Sequence, residues 1–165
     1  IASEFKSLKL KKGKSFLNLR LYVDGDFRNV NDLTFWMNLL FLRPEIKAYG
    51  YSKSWKEFLI YDSLNLTFPE NYKLNLSSGS IHNNEVKKRM NGLSCVRGEF
   101  VAVEINKQFD APIGARTKAY NNAVKTSLGD RRAFICPGLC GSCTPNGHAC
   151  GSDRFKGVTI AIATH

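Results

Sequence analysis

From Leu17 to Val23, within Ser-Phe-Leu-Asn-Leu-Arg-Leu-Tyr-Val (15–23), every second residue is apolar. A period of two sorts side chains onto opposite faces of a strand. The pattern therefore predicts a strand, ended by Asp-Gly-Asp-Phe (24–27), where Gly25 breaks the run. The period then lengthens. Leu33, Trp36, Met37, Leu40 and Phe41 recur at helical steps within 29–44, which predicts a helix capped by Asn31 or Asp32 and stopped by Pro44. The two periods go on alternating: a strand at 46–52, a helix at 54–66 capped by Ser54, a strand at 72–78, a short helix at 83–93 with Gly92 at its end, and a strand at 96–105. Residues 106–134 carry the weakest pattern, with a short helix at 117–127, and 157–165 reads as a final strand. The lysine-rich start (1–14) reads as a basic arm or a helix end, with Ser3 as cap and Phe5 and Leu8 on one face.

Strands joined through helices require crossovers, and crossovers give parallel pairing. The expected class is α/β: one domain over 1–165, with a mainly parallel sheet, crossover helices and a Cys-rich loop at 134–151. Sheets of this kind gather working groups at the carboxyl ends of their strands. Asp24, Gly25 and Asp26 fall at the first such end, Ser52, Lys53 and Ser54 at the second, and Ser78 at the third; His82 and His165 also lie near strand ends. Asp24 and Asp26, two residues apart, point the same way from an extended segment and can bind a divalent ion or share a proton. The structural alternative is a polar turn with Asp26 as a helix cap, and for Ser52-Lys53-Ser54 a helix cap beside a solvated lysine. Asp26, Lys53 and Ser78 are the catalytic candidates, and Asp24, Gly25 and Ser52 the cofactor-binding ones. Asp26 is expected to matter more to function than to folding.

Composition narrows the class. With 43% hydrophobic and 23% charged residues the chain is not of the disordered kind, and 165 residues suffice for a core. Its longest apolar candidate, 35–42, falls far short of the ~20 residues of a membrane span. No secretory signal is visible, so a cytoplasmic location is expected, although a start at Ile1 leaves room for sequence removed upstream. The net charge of +10 points to nucleic acid or another polyanion as partner. The only dense basic run is 6–14, and no aromatic stacking motif accompanies it, so contact would be with the phosphate backbone.

Four of the five cysteines, Cys136, Cys140, Cys143 and Cys150, crowd into one stretch, the first three as C-x-x-x-C-x-x-C. Disulfides suit small secreted domains short of core, whereas this chain has a core and an odd number of thiols. Inert buried cysteines sit among apolar residues, and these sit among Gly, Pro, Ser and Thr. A metal centre on the four thiolates is the expectation. Zinc and a 4Fe–4S cluster both remain open; the spacing leans to iron–sulfur, and His148 is an alternative fourth ligand.

Taken together, residues 19–59 resemble the phage gene product 88 family. The match falls on Gly25-Asp26-Phe27 and on Tyr51-Ser52-Lys53-Ser54, with 72–80 at the place of the next strand and Cys136 to Cys143 at that of a late cysteine motif. That family is distantly similar to radical S-adenosylmethionine enzymes. The resemblance implies a partial (β/α) barrel, a possible 4Fe–4S cluster and S-adenosylmethionine as cofactor. The chain departs from it in two ways: the family's early motif ending in Cys-Tyr is missing, and the C-x-x-x-C-x-x-C lies late instead of after the first strand. Two functions follow as expectations. One is a metal-binding, radical S-adenosylmethionine-like iron–sulfur protein; the other is a zinc-stabilised basic module that contacts nucleic acid or an acidic host protein.

Overall fold

The computed structural model describes residues 2–10, 12–106, 117–138, 143–144 and 148–164. Cys140, Lys11 and His165 lie outside the described residues, as does the side chain of Phe5. The elements run α1 (Ala2–Ser7), β1 (Leu17–Leu21), α2 (Val30–Phe41), β2 (Ile46–Ser52), α3 (Trp55–Ser63), β3 (Tyr72–Ser77), α4 (Asn84–Asn91), β4 (Val96–Val103), α5 (Lys118–Leu128), β5 (Phe134–Ile135) and β6 (Ile160–Ala163). Two 3₁₀ turns, Ala149–Gly151 and Asp153–Phe155, lie between β5 and β6.

All six strands pair in parallel, in the order β1-β2-β3-β4-β6-β5. The sheet curls into a half-barrel with helices between the strands, the α/β architecture that the alternating periods predict. Two features lay outside the pattern. The two-residue β5 is too short to show a period, and β6, last in sequence, inserts between β4 and β5.

Alternation along each strand divides the molecule into two faces. Ile46 and Ala48 of β2 and Tyr72, Leu74 and Leu76 of β3 join Leu33, Met37 and Leu40 of α2 and Phe58 and Tyr61 of α3 in the main core. The intervening Tyr49 and Tyr51 face the other way, into a cluster with Ala149, Cys150 and Ile160. On β4 the alternation breaks once. Leu74 pairs with Val96 but Asn75 with Gly98, so Arg97 is an extra residue, a β-bulge. The bulge reverses the sides. Val96 belongs to the helix-covered core, Phe100 packs in the Tyr49 cluster, and Val103 packs under α5 with Tyr120 and Val124. Gly98 permits the bulge, because a Cβ there would meet the Val158 carbonyl oxygen at 3.0 Å.

Element ends have local causes. Strand β1 stops at Leu21 rather than Val23 because Tyr22 turns to φ +53°. Its ring packs against Phe27 and Trp36, and its hydroxyl donates to Asp32 at 2.6 Å. Helix α2 is capped by Asn29, not by Asn31 or Asp32: the Asn29 side chain accepts the Asp32 N–H. The Ser54 side chain makes no capping bond on α3, so the expected Ser54 cap is not formed. The basic start is not a free arm throughout: α1 leads to Leu8, which packs on the core and whose carbonyl accepts from Arg43.

Candidate functional site

The carboxyl ends of β1, β2 and β3 lie side by side, as their parallel register requires. Asp26, in the turn after β1, joins the first two. One carboxylate oxygen accepts from the Phe27 N–H and the Ser52 hydroxyl; the other accepts from the backbone N–H groups of Lys53 and Ser54. It thus ties the turn after β1 to the β2–α3 turn, just ahead of the first residue of α3. Ser52 is fully engaged, donating to Asp26 and accepting from the Ser54 N–H at 3.0 Å. Both residues position the loop, and Asp24 stands exposed beside them.

Above these ends opens a cleft of about 570 Å³, walled by Arg20, Tyr22, Tyr51, Lys53, Ser77 and Gly79, with Gly25 and Asp26 at its edge. The Arg20 guanidinium lies 4.8 Å over the Tyr51 ring, and its buried Nε has no hydrogen-bond partner among the described residues. Of the third strand-end candidates, Ser78 turns away: its hydroxyl accepts the Ala102 N–H of β4. Ser77 and Gly79 face the cleft in its place. His82 stacks on Trp55, 5.6 Å between ring centres. Burial, and after it the bond to Asp32, pushes the Tyr22 phenol up to about 12, so it stays neutral at any physiological pH. A second cleft, about 460 Å³, lies at the opposite, amino ends of these strands beside His148. In α/β sheets ligands bind at the carboxyl ends, which favours the first cleft.

The described residues of the cysteine-rich stretch, Cys136, Cys143 and Cys150 among them, lie on the face that the helices leave open. Cys136 follows β5 and donates its N–H to the Ala161 carbonyl; Cys143 Sγ accepts from the Ala149 N–H at 3.4 Å; Cys150 is buried. All three pack in the Tyr49–Ile160 cluster. Burial pushes the Cys150 thiol up to about 11. A hydrogen bond from Tyr51 and the charge of Arg97 oppose the shift, and the nearby Cys136 and Cys143 add to it. Among the described residues no three Cys, His, Asp or Glu side chains are arranged as a metal-holding group, and Cys140, the predicted fourth ligand, lies outside those residues.

Arg97 lies beneath the same segment. It is 1% exposed, and its donors go to the Asn75 side chain and to the carbonyls of Phe155, Val158 and Glu99. Asn75, also fully buried, donates in turn to the carbonyls of Gly50 and Cys150. This chain of bonds fastens the cysteine segment to the sheet. None of the groups bonded to the buried guanidinium is a carboxylate; burial lowers its pKa, and the charges of Cys150 and Tyr51 oppose that shift. His148, 7% exposed, lies against Tyr49 and accepts the Gly151 N–H on Nδ1. Accepting there leaves the proton of a neutral ring on Nε2, which disfavours Nε2 as a metal ligand in this arrangement.

The family model of gene product 88 matches residues 4–158. The chain belongs to the gene product 88 family. No curated protein and no solved structure gives a match. In this gene product 88 protein the Gly25-Asp26-Phe27 and Tyr51-Ser52-Lys53-Ser54 elements that carry the resemblance meet in space through Asp26. Sequence reasoning missed Arg20, Asn75 and Arg97. The first two hide in regular strand alternation. Arg97 left a signal: a cation followed by glycine inside an apolar strand run, the mark of a bulge.

Proposed function

We propose that this gene product 88 protein is a metal-binding α/β protein whose thiolates Cys136, Cys140, Cys143 and Cys150 hold a 4Fe–4S cluster on the open face of the half-barrel, next to a ligand cleft at the carboxyl ends of β1–β3. The observation that carries the reading is buried Arg97. A guanidinium taken out of water and bonded only to neutral oxygens is costly unless negative charge lies near. A thiolate-held centre at the adjoining Cys150 supplies that charge. The donor set supports it as well: three thiols share one cluster, and the fourth belongs to the Gly-rich loop between two of them. When bound, a 4Fe–4S cluster supplies one-electron chemistry. The protein's own part is to shield the site with Tyr49, Tyr51 and Phe100, to fasten the segment through Asn75 and Arg97, and to bind a ligand in the cleft.

Metal analysis of protein purified without oxygen tests this reading. About four irons per chain are expected, with the iron gone in Cys136→Ser or Cys143→Ser. Two disulfides found by mass spectrometry, with no metal, overturn it. The second reading is a zinc-stabilised basic module, which the net charge of +10 and the stitching of the cysteine segment into the sheet favour. About one zinc per chain and no heat on titration with S-adenosylmethionine select that reading.

A further inference from the structure

We infer that the carboxyl-end cleft recognises a phosphate monoester on a small molecule, through Arg20 and Lys53. The inference rests on the reading of that cleft as the ligand site and names what the ligand must carry. Two cations line the cleft, and neither meets a carboxylate within ion-pair distance among the described residues. The one carboxylate on its wall, Asp26, has both oxygens filled by backbone and hydroxyl donors, so it does not turn to neutralise either cation. The positive charge is thus left facing an open space. By contrast, Lys73 of β3 pairs with Asp153, and Lys87 and Arg131 pair with Glu99 of β4.

The two cations differ in a useful way. The Arg20 guanidinium sits over the Tyr51 ring, 4.8 Å from its centre, and offers a fork suited to two oxygens of one group. Lys53 supplies a point charge from the neighbouring strand end, close to Gly79: its Nζ would lie 3.5 Å from a Cβ there. Two positive charges match a dianion better than a monoanion, which selects a phosphate monoester over a lone carboxylate. The Ser77 hydroxyl, unpartnered among the described residues, adds a donor beside them. The rest of the ligand meets aromatic and apolar surface, for Tyr51 and Tyr22 form the wall and Val23 and Ile81, 71% and 97% exposed, stand at the rim. A cleft of about 570 Å³ exceeds what a bare phosphate fills and is of the size that holds a small organic molecule.

The test is titration of the full chain, with its metal content measured on the same sample, using phenyl phosphate, inorganic phosphate and acetate, followed by calorimetry and by shifts of backbone amide resonances. Phenyl phosphate is expected to bind at least about tenfold more tightly than acetate, with shifts at Lys53, Ser77 and Gly79. Arg20→Gln and Lys53→Gln should each weaken it about tenfold or more, and Arg20→Lys, which keeps the charge and loses the fork, should weaken it as well. Lys47→Gln, at the opposite end of the sheet, should leave it unchanged. Equal affinity for acetate and phenyl phosphate overturns the inference, as does wild-type affinity in Arg20→Gln and Lys53→Gln proteins whose near-ultraviolet circular dichroism shows a native fold. So does protection of the same amides by an oligonucleotide and not by phenyl phosphate. Metal-loaded protein that ignores phosphate overturns this inference alone; phosphate binding by protein that takes up no metal overturns the metal centre alone.

Discussion

Asp26 is where a catalytic reading and a structural one diverge most sharply. Its four bonds tie the turn after β1 to the start of α3. Asp26→Asn removes the charge and sets an amide against the exposed Lys53 and half-buried Ser54 N–H groups, which weakens the bonds that hold the loop. A loss of about 1–3 kcal/mol in urea unfolding is expected, with faster hydrogen exchange at those two amides. Unchanged stability with abolished ligand binding would return Asp26 to the reacting groups. Arg97 makes the converse case. Arg97→Met strands the acceptors of Asn75, Phe155, Val158 and Glu99, and should cost on the order of 3 kcal/mol or more. If the guanidinium balances a thiolate-held metal, chelation should lower the melting temperature of wild type more than that of Arg97→Met. Equal shifts would separate Arg97 from the metal.

At the scale of elements, the two periods located four strands and three crossover helices with ends close to the observed ones, because each apolar face must meet the same core. What the periods do not carry is the stitching between elements. Glu99 of β4 receives Lys87 of α4 at 2.8 Å and Arg131 from the segment after α5. Burial alone would raise the Glu99 carboxyl, but these two cations together hold it below its ordinary range. A depressed carboxylate contributes stability above the unfolded value of about 4.3, and that contribution disappears as pH falls through the lower folded value. Unfolding free energies measured from pH 6 to pH 3 should therefore drop more steeply for wild type than for Glu99→Gln. Parallel curves would show that the bridge adds nothing.

At the scale of the whole molecule, the sheet leaves one face to the helices and the other to described residues of the cysteine segment, and the chain carries ten excess positive charges. No helix among the described residues is long and apolar enough to cross a membrane. That charge predicts weak binding to nucleic acid through phosphates, with a Kd of about 10⁻⁴ to 10⁻⁶ M at physiological salt and a steep salt dependence. Gel-shift titrations at two salt concentrations should show it. Glutamine at Lys6, Lys9, Lys11, Lys12 and Lys14 should flatten the slope by about one for each phosphate that the arm no longer neutralises. Absence of any shift at low salt would leave an acidic protein as the partner of this surface.

The sequence by itself determined the α/β class, the order of the first four strands and the three helices between them, and the crowding of thiols into one stretch. Each of these is written in neighbouring residues: a period of two or of three to four, a glycine at a turn, a spacing of cysteines. Only the tertiary structure decided that β6 enters between β4 and β5, that Arg97 bulges inward beneath Cys150, that Asp26 ties the turn after β1 to the turn after β2, and that Arg20 and Lys53 share one cleft. The physical reason is range. Periodicity reports which side of its own element a residue takes. A buried charge or an unfilled donor is set by groups tens of residues distant, whose meeting is fixed by how strands pair and which face of the sheet remains uncovered.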